Sequence, residues 1–234
     1  MTPPSAIGTD ILRRDGPEKL TGRAQYAGDL ALPGMLHARL AVSPYASATI
    51  SSIDTAAAAA MPGVVAVYTA ADLDLKGGES GSRRLNFLAK DSIVFTGQPV
   101  AVVLAESEAE AEDAANAVVV EYDERVAVSD PIAGMAADAP HVRDTAAAGA
   151  EEADLHAAVV KDQSAEKEDL PANVSNSITF KRGDVAAGFA EADAIIEGTY
   201  RCAYVHQGYL ETQTCLVAPD PVTGGVTVYT STQA

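Results

Sequence analysis

Ile93-Val94-Phe95-Thr96-Gly97-Gln98-Pro99-Val100-Ala101-Val102-Val103-Leu104-Ala105 is the stretch whose reading decides the architecture. Thr96-Gly97-Gln98 is a turn signal, and the run from Pro99 to Ala105 is a strongly apolar strand. In Gln98 we expect a turn amide bonded to nearby backbone. Just downstream, Ser107 and Glu110 stand at the spacing of a capping box. The helix they open places Ala111, Ala114, Ala115 and Val118 on one face, with Glu108, Glu112 and Asp113 on the other. Val118 to Tyr122 then reads as a strand closed by Asp123-Glu124. The order strand, helix, strand predicts a mixed α/β sheet unit.

Upstream of this unit lie turn signals at Asp15-Gly16-Pro17, Thr21-Gly22 and Leu32-Pro33-Gly34. Met35 to Val42 reads as a strand. Asp54 stands near the N-cap of a short alanine helix over Ala56 to Ala60, which Pro62-Gly63 ends. The β-branched run Val64 to Thr69 follows as a strand, and Gly77 to Arg84 as a polar loop. Downstream, Pro131 to Pro171 is dominated by alanine, aspartate and glutamate, the composition of a solvated acidic linker with one helical piece at Ala153 to Lys161. Order is expected to resume at Asn173, with a strand at Ser177 to Lys181 and a short helix, Val185 to Ala192, capped by Asp184. Ala194 to His206 and Leu210 to Ala218 read as long extended stretches. After a turn at Pro221 to Gly225 they are joined by Val226 to Thr232, as three consecutive members of an antiparallel sheet. A sheet finishing at Gln233-Ala234 leaves backbone groups and an apolar face to be covered by something else.

Composition limits the partners. The chain has 234 residues, with Lys and Arg numbering 16 against 33 Asp and Glu, for a formal charge of −17. Phosphate backbones and anionic membranes both demand the opposite balance, so neither nucleic acid nor a membrane surface is an expected partner. No apolar run approaches the roughly 18 residues needed to span a bilayer. Met1 to Asp10 lacks the pattern of a signal peptide. Two cysteines, Cys202 and Cys215, fit a reducing cytoplasm better than a disulfide scaffold, and we expect both to be small buried residues of strands. Much of the apolar fraction is alanine and tryptophan is absent, so the core should be thin.

No single constellation suffices for chemistry. A phosphate-binding glycine loop, HExxH, a nucleophile elbow and CxxC are all missing. His206 and Glu211 lie five apart in a strand-like region, on opposite faces unless Gly208 makes a bulge that re-aims one of them.

Two blocks of sequence carry a resemblance. Asp15-Gly16-Pro17-Glu18-Lys19-Leu20-Thr21-Gly22-Arg23-Ala24-Gln25-Tyr26-Ala27-Gly28-Asp29 with Met35-Leu36-His37-Ala38, Met61-Pro62-Gly63-Val64, Phe95-Thr96-Gly97-Gln98-Pro99-Val100-Ala101 and Val120-Glu121-Tyr122-Asp123 follow in order. Together they resemble the α/β hammerhead domain of the molybdenum hydroxylase large subunit, the family of xanthine dehydrogenases, aldehyde oxidoreductases and carbon monoxide dehydrogenases. The second block is Gly183-Asp184 with Phe189 to Asp193, His206-Gln207-Gly208-Tyr209-Leu210-Glu211, and Tyr229 to Gln233. It resembles the start of that family's molybdopterin-binding region. The resemblance implies an α+β fold: an N-terminal segment over 1–14, a hammerhead domain over 15–131, an acidic linker over 132–172, and the first, β-rich part of a molybdopterin-binding domain over 173–234.

It also implies a reaction in which water supplies oxygen to an electron-poor carbon, with a glutamate from later in the family's chain as base. The cofactor would be a molybdopterin-type molybdenum cofactor shared with a partner chain that carries the rest of the domain. Iron–sulfur clusters and FAD would sit on partner subunits. No catalytic residue and no metal ligand is assigned to this chain. Gln207 is the candidate for a hydrogen bond to the cofactor, although counting back without a gap puts that position at Val205. His206 is the candidate pocket-lining residue, and Glu211 reads as a buried, paired carboxylate rather than a base. Alternatives are a non-catalytic assembly module that keeps the hammerhead, or a fragment.

Overall fold

The computed structural model describes residues 8, 10, 12–73, 87–143, 171, 173, 174, 182–206, 208, 209 and 211–232. The elements in chain order are α1 (Gly16–Leu20), β1 (His37–Val42), β2 (Ala48–Asp54), α2 (Ala56–Ala59), β3 (Val64–Thr69), β4 (Ser92–Ile93), β5 (Pro99–Ala105), α3 (Glu108–Asn116), β6 (Val119–Glu124), α4 (Val185–Glu191), β7 (Cys215–Pro219) and β8 (Val226–Thr230). They gather into two compact units, one of Gly34–Ala192 and one of Met1–Pro33 with Asp193–Ala234. The expected loop at Gly77 to Arg84, helix at Ala153 to Lys161 and strand at Ser177 to Lys181 lie outside the described residues.

In the Gly34–Ala192 unit, β5 sits between β1 and β3 in one sheet, and β2 sits between β4 and β6 in another. The expected order strand, helix, strand is present, but it is not one sheet unit. Both edges of β5 are taken by β1 and β3, while β6 pairs with β2, and every one of these pairings is antiparallel. Element order does not say which edge a strand finds. Helix α3 is built as its pattern predicts: the Ser107 hydroxyl accepts from the Glu110 amide at 3.3 Å and donates to the Glu110 carboxylate at 2.7 Å. Ala111 and Ala114 are fully buried.

Strand β2 was not read from the sequence. A bulge between Ile50 and Ser52 inserts Ser51, so Ile50 pairs with Tyr122 and Ile53 with Val120. Both isoleucines therefore reach the core at a spacing of three, which breaks the period of two that marks a strand.

Among the described residues the core lies in two clusters. Ala41, Ala48, Ala89, Ile93, Val100 and Ala101 form the first, with Tyr45, Ile50 and Tyr122 packed against them. The rings of Tyr45 and Tyr122 stand 5.2 Å apart at 56°. Ala58, Val103 and Ala114 form the second, where α2 and α3 meet the β1–β5–β3 sheet. Alanine at these crossings lets helix and strand backbones approach closely, at the cost of little apolar area per residue.

Two turns hold the frame. Gln98 is buried, and its Oε1 accepts from the Val94 amide at 2.8 Å. Its own carbonyl accepts from Ser43 N at 2.9 Å, and Gly97, at φ +87°, donates to the Ser43 carbonyl at 2.8 Å. Gln98 is thus the backbone-bonded turn amide expected. Gly63, in the turn between α2 and β3, stands at φ +73°, and its carbonyl accepts from Glu106 N at 2.9 Å. A Cβ there would collide with the Glu110 carboxylate. That carboxylate can swing away only by giving up the Ser107 hydroxyl. Gly63→Ala should therefore cost about 2 kcal/mol, combining left-handed backbone strain with part of the lost cap. Urea denaturation reads it, and a loss below about 0.5 kcal/mol would refute it.

Asn173 closes the exit of this unit. Its Oδ1 accepts from Val142 N at 2.9 Å, and its Nδ2 donates to the carbonyls of Gly134 and Pro140 at 3.0 and 2.9 Å. Gly134 is buried in the short 3₁₀ turn Ala133–Met135. Helix α4 is capped as expected, Asp184 Oδ1 accepting from Ala187 N at 3.0 Å.

In the other unit, β7 and β8 pair antiparallel from Cys215↔Thr230 to Pro219↔Val226. The expected three-stranded sheet is not formed: among the described residues Ala194 to His206 enters no ladder. Extended sequence makes a strand only against a partner, and here Ile196, Tyr200 and Tyr204 are 92%, 90% and 95% exposed. Cys202 and Cys215 are exposed rather than buried, the first in this unpaired stretch and the second on the two-stranded ladder.

Asp220 shapes the connecting turn. Its Oδ1 accepts from Val222 N and Thr223 N at 2.8 and 3.3 Å, its Oδ2 from the Thr223 hydroxyl at 2.6 Å. These bonds, the hydroxyl's first, hold its pKa below the ordinary 3.8. A lowered pKa in the folded state means the turn's stabilisation is complete above the unfolded value and is lost as pH falls through the folded one. We expect exchange of the Val222 and Thr223 amides to quicken, after correction for intrinsic rates, as pH falls below the ordinary carboxylate value of 3.8, and Asp220→Asn to abolish that dependence.

Candidate functional site

The residues that sequence singled out lie in the unit of Met1–Pro33 with Asp193–Ala234. His206 is exposed, and Gln207 lies outside the described residues. Since 201–206 forms no strand, the premise that His206 and Glu211 sit on opposite faces of one does not apply. Nor is Glu211 buried: it is exposed, and it lines a shallow cleft of about 440 Å³ with Tyr26, Gly28, Asp29 and Thr212. Sequence reading gave Tyr26, Gly28 and Asp29 no place in a site. The available signal was that these three close the Asp15–Asp29 motif.

Local chemistry builds the cleft. Tyr26 N donates to Asp29 Oδ2 at 2.9 Å, and a 3₁₀ turn over Ala27–Asp29 brings Gly28 against Thr214. A Cβ on Gly28 would sit 3.6 Å from the Thr214 side chain, an ordinary contact. Ser231 ties the other wall: its hydroxyl accepts from Thr214 N at 3.2 Å and donates to the Thr212 carbonyl at 3.1 Å. Thr214 Oγ1 is buried and has no hydrogen-bond partner among the described residues.

The cleft's two ionisable side chains other than Tyr26 are the carboxyl groups of Asp29 and Glu211, so it suits donors rather than an anion. Among the described residues no group of three or more His, Cys, Asp or Glu is placed to hold a metal ion.

Comparison with known proteins settles the family. A profile described as "Aldehyde oxidase and xanthine dehydrogenase, a/b hammerhead domain" matches residues 21–126, and one described as "Molybdopterin cofactor-binding domain" matches residues 166–234. The carbon monoxide dehydrogenase large chain of Hydrogenophaga pseudoflava is 36% identical over 92% of this chain and 26% of its own length. The nicotine 6-hydroxylase large subunit of Paenarthrobacter nicotinovorans is 31% identical over 98% of this chain and 26% of its own. The crystal structure of quinoline 2-oxidoreductase from Pseudomonas putida 86 superposes with a TM-score of 0.78 at 34% identity, covering 98% of this chain and 27% of that one. The chain belongs to the molybdenum hydroxylase large-subunit family.

Its fold is α+β, a hammerhead domain followed by the start of a molybdopterin-binding domain. The chain spans about a quarter of the length of the curated relatives it matches. The cleft presents the carboxyl groups of Asp29 and Glu211, so the described residues around it do not make a cradle for an anionic group. No helix among the described residues is long and apolar enough to cross a membrane.

Proposed function

We propose that this chain is the structural and pocket-wall part of a multi-subunit molybdenum hydroxylase that oxidises an electron-poor C–H, in a heteroaromatic such as a purine or in an aldehyde, using water as the oxygen source. The remainder of the molybdopterin-binding domain and the base complete the site, an iron–sulfur subunit and an FAD subunit take the electrons, and the assembly is cytoplasmic. The hammerhead occupies 15–131, the linker 132–172 and the cofactor-domain portion 173–234. One observation carries this reading: both family regions occur in one chain, in the family's order, over most of its length.

The molybdenum cofactor, when bound, supplies the redox chemistry. Gln207 and His206 contribute to the wall beside it rather than to its ligands. Removing such an outer contact commonly costs about 10- to 100-fold in activity or affinity, so Gln207→Leu should slow turnover of the assembled enzyme about tenfold while molybdenum content holds. Unchanged turnover would place Gln207 away from the cofactor. The whole proposal is tested by native mass spectrometry with metal analysis of the complex purified from its source. The expected species contains this chain's sequence together with iron–sulfur and flavin subunits and molybdenum. A chain that elutes alone and free of molybdenum would sink it.

A further inference from the structure

Asp15-Gly16 is the chain's one Asp–Gly pair, and no Asn–Gly pair occurs. Such a pair is chemically labile. Glycine puts no side chain beside its own nitrogen, so the Gly16 nitrogen can attack the Asp15 carboxyl carbon. A C–N bond forms, the carboxyl hydroxyl leaves as water, and the product is a succinimide ring. Water then re-enters at either ring carbonyl. Opening at the main-chain carbonyl leaves isoaspartate, whose backbone runs through the former side chain. The sequence loses one water and regains one, and it needs no other reagent.

Ring closure has two requirements. The carboxyl must be neutral, because a carboxylate repels the attack and has no hydroxyl to release. The Gly16 nitrogen must also swing round to face that carbon.

The structure opposes both. Arg13 Nε donates to Asp15 Oδ1 at 2.6 Å and Arg13 Nη2 to Oδ2 at 3.1 Å, a two-pronged grip. Lys19, one helical turn on, places Nζ 2.8 Å from Oδ2. These hydrogen bonds, Arg13's first, hold the Asp15 carboxyl well below the ordinary 3.8. Tyr26 also acts on this cluster, through Arg13. The backbone is set against closure as well. Asp15 lies at φ −88° and ψ 1°, and bringing the nitrogen over the carboxyl carbon needs a large change in ψ. Gly16 N is already donating to the Arg13 carbonyl at 3.2 Å, and the Asp15 carbonyl accepts from Lys19 N at 3.3 Å.

We propose that Asp15–Gly16 is a latent isomerisation site of the main chain, kept closed by Arg13 and Lys19. Ion pairs as exposed as these contribute little to folding, so the effect of the cluster falls on reactivity. Isoaspartate at this point adds one carbon to the backbone and breaks both hydrogen bonds on which α1 starts. The three charges thus set the chemical lifetime of the turn.

This inference rests on the turn and not on the proposed function. The protein is purified from its source, the parent beside the double variant Arg13→Gln, Lys19→Gln, and both are aged at neutral pH. Isoaspartate at position 15 is counted by peptide mass spectrometry with electron-transfer fragmentation. Each unit by which the carboxyl returns toward its ordinary pKa raises its neutral fraction about tenfold, so the double variant should isomerise at least about tenfold faster than the parent. Adding Gly16→Ala should suppress that gain, because a side chain on the attacking residue hinders closure. The new Cβ meets only Arg13 Cβ, at an ordinary 3.7 Å. As pH falls the rate should rise, and it should level off at a lower pH in the parent, where the carboxyl stays ionised further down.

Thr21→Ala separates the charges from the fold. It removes the bond from the Thr21 hydroxyl to the Pro17 carbonyl at 2.7 Å, which loosens α1 and leaves Arg13 and Lys19 in place. This variant should stay near the parent's rate. Equal rates in the parent and the double variant overturn the proposal, as does levelling-off at the same pH. A Thr21→Ala protein that isomerises as fast as the double variant overturns it too, since looseness of the turn and not the charges would then control the reaction.

Discussion

Ile93→Ala should lower the stability of the hammerhead unit by about 3 kcal/mol. Ile93 is 1% exposed in a strand of two residues, opposite Ala48, and it is the largest side chain of a cluster whose other buried members are Ala41, Ala48, Ala89, Val100 and Ala101. Truncating a large core side chain costs the transfer energy of the removed methylenes plus the energy of the remaining cavity. Alanines have no side-chain reach with which to fill it. Urea denaturation followed by tyrosine fluorescence reads the change as a lower midpoint at unchanged slope. A loss under about 1 kcal/mol would mean that the cluster collapses freely around the gap.

Ala114→Leu should cost a similar amount for the opposite reason. Ala114 is fully buried where α3 crosses Val103 and Ala58, and that spacing is set by a methyl group. Three extra carbons force the helix off the sheet or drive side chains from their rotamers, a penalty of about 1–3 kcal/mol and sometimes more. Ala115→Leu, one residue on and only half-buried, is the control and should cost less than about 1 kcal/mol. Equal penalties at the two positions would show that helix propensity or expression, and not packing, sets the result.

These alanine crossings also explain what was legible beforehand. Helix α3 announced itself through Ser107, Glu110 and the alanine spacing, and β3 and β5 through β-branched runs, because each signal is local. Strand β2 hid behind the bulge at Ser51, which shifts Ile53 onto the face of Ile50. Partner choice was illegible: nothing in residues 93–124 states that β5 and β6 join different sheets. The candidate site was the least legible part. The reading of Ala194 to His206 as a strand assumed a neighbour that the described residues do not supply, and with it went the expected burial of Cys202. The burial of Glu211 failed with the same sheet. The Tyr26–Asp29 wall is visible in the sequence only as part of a family motif, because its chemistry emerges when the chain brings it beside Glu211 and Thr212. Family likeness carried the functional reading where local pattern could not.

One side chain has a consequence for how this family part tolerates change. Asn173 binds Val142 across 31 positions of sequence and Gly134 across 39. Closing a loop costs free energy that grows only with the logarithm of its length, about 0.6 kcal/mol for each doubling. The knot is therefore nearly indifferent to how much polypeptide departs at Arg143 and returns before Asn173. Insertions and deletions between those points can accumulate over evolutionary time while both flanking regions keep their anchorage.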